Sequence, residues 1–134
     1  MRRKAKNIIQ RVKKEVKKHN IDLKVTNGYK VWCESEKCYG YFIPPGKRKK
    51  GQLAVAKGDK RHVDYLWDLA HELAHFRQWK REDPILEKYD NDESLYGILE
   101  KMTEKEAQKI FSGWGLNPSK RLKKRSKEYL QQIS

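Results

Sequence analysis

His62-Val63-Asp64-Tyr65-Leu66-Trp67-Asp68-Leu69-Ala70-His71-Glu72-Leu73-Ala74-His75-Phe76-Arg77-Gln78-Trp79-Lys80-Arg81 reads as one helix. Leu66, Leu69, Ala70, Leu73 and Phe76 recur at helical spacing on one side, which gives the segment a face to lay on a sheet. Asp83-Pro84 stops it, because the residue before a proline is pushed out of the α region. His71 and His75 stand four apart, a rotation of about 40° on an α-helix. Both imidazoles therefore turn away from the apolar stripe and reach one metal ion. Glu72 projects nearer the edge of that face, where a carboxylate can take a proton from a metal-bound water and hand it to a leaving group. The expectation is an open site for one zinc ion, with His71 and His75 as ligands and Glu72 as general base.

A catalytic zinc site keeps one position for water and needs a third protein ligand. No histidine follows His75, and position 81 is Arg, so the third ligand is expected to be a carboxylate. The next helical stretch, about Glu93 to Ser112, offers Glu100, Glu104 and Glu106. Glu104 is preferred because Ala107, one turn on, lets this helix approach the His71–His75 helix closely. Gln108 would then reach a ligand imidazole from i+4. Glu106 is the rival, its other role being a cap with Thr103.

Around these two helices the pattern is α+β. Residues 2–18 carry Ile8, Ile9, Val12 and Val16 at helical spacing under a basic face. Asn27-Gly28 signals a turn. Three runs, Tyr29 to Cys33, Tyr39 to Ile43 and Leu53 to Ala56, are rich in β-branched and aromatic residues between breakers and read as a small three-stranded sheet. Asn117-Pro118 resembles a helix start, and a basic helix over 118–133 with Leu122, Tyr129, Leu130 and Ile133 follows. At 134 residues the chain has the size of one domain, 1–134.

The net charge of +14 is concentrated in residues 2–18, Lys47 to Lys50 and Lys120 to Lys127, an excess suited to nucleic acid or another polyanion and equally to a solvated surface. No apolar stretch is long enough to span a membrane, and no secretion signal is evident. The Arg/Lys-rich start shares features with a transit peptide, but reads better as an integral helix. Two cysteines, Cys33 and Cys38, point to a reducing, intracellular setting rather than a disulfide scaffold. They fall on neighbouring expected strands, and with His62 they would offer a second metal site. Trp32, Trp67, Trp79 and Trp114 are spread along the elements as core or cleft-lining aromatics are.

From Gly28 to about Trp114 the chain resembles the small gluzincin-type metallopeptidases, including the ImmA/IrrE-like group and virus- and phage-encoded metallopeptidase-like proteins. The matching pieces are Cys38-Tyr39-Gly40-Tyr41-Phe42, Leu53-Ala54-Val55-Ala56, His71 through Trp79, and Glu104-Lys105-Glu106-Ala107. The resemblance implies a zincin-like fold whose strands precede the metal-binding helix, and a Glu-x-x-Ala on the next helix supplying the third ligand, here Glu104. Gln108 stands where some gluzincins have an acid.

The implied activity is zinc-dependent hydrolysis of peptide bonds in a protein or peptide substrate. Arg77, His62, Tyr96 and Tyr129 are the candidates for stabilising a developing oxyanion. Two other functions fit the charge: a non-enzymatic nucleic-acid-binding module in which the histidine pair is structural, and a DNA-associated protease akin to the SprT-like enzymes, whose downstream histidine ligand this chain lacks.

Overall fold

The structure is a computed structural model describing residues 2–28, 30–33 and 36–132, with backbone alone at 33, 36 and 37. Helix α1 (Arg2–Lys17) buries Ala5, Ile8, Val12 and Val16, a spacing that puts one apolar stripe inward and leaves the cations outside. Asn20, in the left-handed region at φ 62°, turns the chain into β1 (Ile21–Thr26). β2 (Val31–Cys33) and β3 (Glu36–Cys38) form an antiparallel ladder of their own. β4 (Gly40–Ile43) and β5 (Gly51–Ala56) complete a mixed three-stranded sheet in the order β1-β5-β4. β5 runs parallel to β1 and antiparallel to β4.

The sheet thus has the expected number of strands but a different membership. The run at Val31–Cys33 pairs outside it, and Ile21–Thr26 takes the place. The sequence of β1, Ile-Asp-Leu-Lys-Val-Thr, alternates apolar and polar residues as a strand with one buried face does. At the head of β5 only glycine fits. A Cβ on Gly51 would lie 2.6 Å from the Ile43 carbonyl oxygen and 2.7 Å from the Pro45 nitrogen.

β5 is buried from Leu53 to Ala56, as a central strand covered on both faces should be. Leu53 and Val55 join the apolar side chains of α1 and α2 in the core, and the β2 strand lies against β4 and β5. α2 (His62–Lys80) is the hub of the molecule. It buries residues on every side, among them the polar Asp64, Asp68, Glu72 and Gln78. It is therefore not an amphipathic helix with one solvent face. The sheet and α1 take one side, and the other carries α4.

Asp83-Pro84 ends α2 as expected and also starts a further short helix. In α3 (Pro84–Asn91) the Asp83 side chain accepts from the Ile85 N–H and proline occupies the first turn. A 3₁₀ turn over Glu93–Leu95 then leads into α4 (Tyr96–Gly113). α5 (Lys120–Gln132) begins later than the expected residue 118, because the Ser119 hydroxyl, accepting from the Leu122 N–H at 3.2 Å, caps it. Ile133 and Tyr29 lie outside the described residues. No helix among those described is long and apolar enough to cross a membrane.

One core runs from Ala5 on α1 to Leu122 on α5. Ile8 is fully buried within it, so Ile8→Ala should destabilise the protein by about 2–5 kcal/mol in urea titration. Lys6→Ala on the exposed face should stay within about 0.5 kcal/mol. Equal effects of the two would show that α1 is not docked on the core.

Candidate metal centre

α2 and α4 pack closely along the segment that carries the histidines. Fully buried Ala107 leaves room for the approach. A buried hydrogen bond from Gln78 Nε2 to Thr103 Oγ1, 3.0 Å, fixes the two helices' relative position. The ligand atoms of His71, Glu72 and His75 lie within 4.8 Å of one another, an arrangement able to hold a metal ion.

α4 presents two carboxylates one turn apart, and His71 sits between them. Its Nδ1 is 2.8 Å from Glu104 Oε1, while its Nε2 is 3.3 Å from Glu100 Oε2. The Nε2 of His75 is 3.7 Å from the other oxygen of Glu100. Glu100 is therefore the carboxylate that faces both Nε2 atoms. Glu104, the expected third ligand, meets the opposite side of the His71 ring, and its second oxygen accepts from the Ser126 hydroxyl of α5. Glu106, the alternative, pairs with Arg81 at 2.7 Å.

The oxyanion candidates separate as clearly. Arg77 makes two 2.9 Å hydrogen bonds to Glu15 and ties α2 to α1. His62 opens α2, with Nδ1 2.6 Å from the Tyr65 hydroxyl, roughly 13 Å along the helix from His71 at the usual rise. Neither is drawn to the histidine pair. Tyr129 is: its ring stands edge-on to His71 with centroids 6.4 Å apart, and Tyr96 lies 3.2 Å away, hydroxyl to hydroxyl. For the proposed second metal site, Cys38 pairs with Val31 and Cys33 with Glu36 in the β2–β3 ladder; the Cys33 side chain lies outside the described residues. Of the tryptophans, Trp67 is buried against Phe111, whereas Trp32 is exposed.

Glu100, one of the three carboxylates the sequence offers, shares a helix face with Glu104 at i,i+4, and the two approach one ring from both sides. Gly40, on edge strand β4, faces Glu72. A Cβ there would lie 3.0 Å from Glu72 Cγ and 2.8 Å from the Ala54 carbonyl oxygen, so glycine is what lets the strand approach the carboxylate.

Burial and charge set the protonation states. Burial opposes a charge on His71, but the Glu100 and Glu104 carboxylates outweigh it and raise its pKa to about 10. Burial, reinforced by the His71 charge, lowers His75 to about 4. Glu72 is pushed up to about 7 by burial, against the pull of His71 and with the aid of Glu100 and Asp68. Glu100 and Glu104 are held below the ordinary carboxylate range: burial acts upward on both, and the bonds to His71 prevail.

At neutral pH His75 is thus a ready neutral ligand, whereas His71 must shed a proton before its Nε2 can bind a cation. Zinc binding at pH 7.5 should release about one proton per ion, and apparent affinity should keep rising toward pH 9 by about tenfold per unit. Calorimetry in two buffers of different ionisation enthalpy reads the release directly. Binding without proton release would contradict the charge state of His71.

No family model, curated protein or solved structure matches the chain.

Proposed function

We propose that the protein is a zinc-dependent peptidase in which His71, His75 and Glu100 hold the metal and Glu72 is the general base. The observation that carries this is the convergence of both histidine Nε2 atoms on the two oxygens of Glu100, beside Glu72. The residues present suit zinc in type and number, two imidazoles and a carboxylate. Glu72 Oε2 and Glu100 Oε2 are among the five buried side-chain oxygens of the described residues that have no hydrogen-bond partner, a costly condition that a bound cation would relieve at these two.

Bound there, zinc would supply a Lewis acid that polarises a peptide carbonyl and acidifies a water molecule. Glu72, with a pKa near 7, is poised to accept a proton from the attacking water and return it to the leaving amine, since such transfers are most efficient when the group titrates near the working pH. Glu104 would hold the His71 ring by Nδ1 and so leave Nε2 for the metal.

Glu72→Gln should retain zinc and lose hydrolysis of a mixed peptide library. Glu100→Gln should weaken zinc by more than about 100-fold, beyond the range of a merely supporting residue, while Glu106→Gln leaves it unchanged. Full activity in Glu72→Gln would overturn the mechanism, and unchanged zinc binding in Glu100→Gln would overturn the ligand set.

The surface of α1 favours a second reading, contact with a polyanion. The helix carries eight Lys and Arg against the single acid Glu15, and Glu15 is engaged by Arg77. If six or more of these cations touch phosphates, affinity for a short DNA duplex should fall by about 10³-fold or more between 50 and 200 mM salt. Fluorescence anisotropy tests this; affinity independent of salt would exclude phosphate contacts.

A further inference from the structure

α5 is attached in an unusual way for a helix that belongs to the core. Of its thirteen residues only Leu122 and Ser126 are buried, so apolar packing alone contributes little to holding it. Its inner face meets α2 instead through matched polar steps. Arg121 pairs with Asp64, Arg125 lies 2.7 Å from Asp68, and Tyr129 stands against His71. The partners advance together, about one turn at a time, so the two helices run alongside in the same direction and in register. The last step of that register falls on the proposed metal centre.

There α5 reaches one of the two carboxylates that bracket His71. Ser126 donates to Glu104 Oε2, whose other oxygen is bonded to His71 Nδ1. Both Glu104 oxygens are thereby satisfied in a buried position, and removing the serine hydroxyl would orphan one of them. Tyr129 stands edge-on to His71, and its hydroxyl lies 3.2 Å from that of Tyr96.

We propose that α5 is part of the metal centre, with Ser126 acting as a positioning residue that holds Glu104, and through it the His71 ring, in the geometry that binds the cation. This rests on the assignment of His71, His75 and Glu100 as ligands. Ser126 does not touch the reacting atoms; it acts through the carboxylate it holds.

The test is zinc affinity of the full chain, measured by competition with a chelating dye. Ser126→Ala should weaken zinc by about 10–100-fold, and Lys127→Ala, on the exposed face of the same helix, should not. Ser126→Thr, which keeps the hydroxyl, should recover most of the loss. A double-mutant cycle separates positioning from general destabilisation: in a Glu104→Ala background, Ser126→Ala should have no further effect. Unchanged affinity in Ser126→Ala, or a full additional loss in the Glu104→Ala background, overturns the proposal while leaving the ligand set standing. A wild-type chain that binds no zinc overturns the ligand set itself.

Discussion

The grip of α4 on both nitrogens of one imidazole is the constraint around which this structure is arranged. An imidazole has its two nitrogens on different edges of the ring, and Glu104 takes one while Glu100 faces the other. The ring cannot rotate without losing a charge-assisted contact on at least one side. Everything near it then follows: two glutamates one turn apart on α4, a small residue at Ala107 so that α4 lies close, and the Gln78–Thr103 bond that stops the helices from sliding.

Burying α2 on all sides creates a second demand. Asp64, Asp68, Glu72 and Gln78 are carried into the interior by the same helix that supplies Leu66, Leu69 and Leu73 to the core. A buried ion pair contributes little net stability, because desolvation offsets the attraction, but losing one partner is severe. The apolar side chains therefore account for most of the folding free energy. The paired charges mainly decide which arrangement of helices is tolerated. Gln78 is bonded to Thr103 and one oxygen of Asp68 to Arg125, while Asp68 Oδ2 and Glu72 Oε2 have no hydrogen-bond partner.

Much of this was legible in the sequence. The helix at 62–80, the two histidines and the intervening glutamate follow from periodicity and spacing, and the apolar stripe Ile8, Val12, Val16 placed α1 correctly. Strand β1 was equally visible in its alternation at Ile21, Leu23 and Val25, but it stands next to a long basic helix and lacks aromatic residues. What could not be read was pairing across distance. Nothing local in Glu100 or Glu104 tells which will meet Nε2 and which Nδ1, since the answer depends on the rotation of α4 against α2. Ser126 looks like any serine on a basic helix until the fold brings it to Glu104. Nor does anything near Arg77 announce that its side chain meets Glu15 of α1, a contact 62 residues away in sequence.

The parallel pairing of β1 with β5 has a consequence for how the chain reaches this state. Ile21 pairs with Gly51 and Thr26 with Ala56, so every rung of this ladder joins residues thirty apart, with the β2–β3 ladder and β4 lying between. Closing such a loop costs entropy before any rung rewards it, and non-local parallel ladders are slow to form. Hairpins and helices can flicker into place within microseconds, yet the surface on which α2 rests is incomplete until that ladder zips. The histidines and the two glutamates are brought together only by the docking of α2 and α4, so the tempo of the whole assembly is governed by a pair of six-residue strands that contribute no atom to its chemistry.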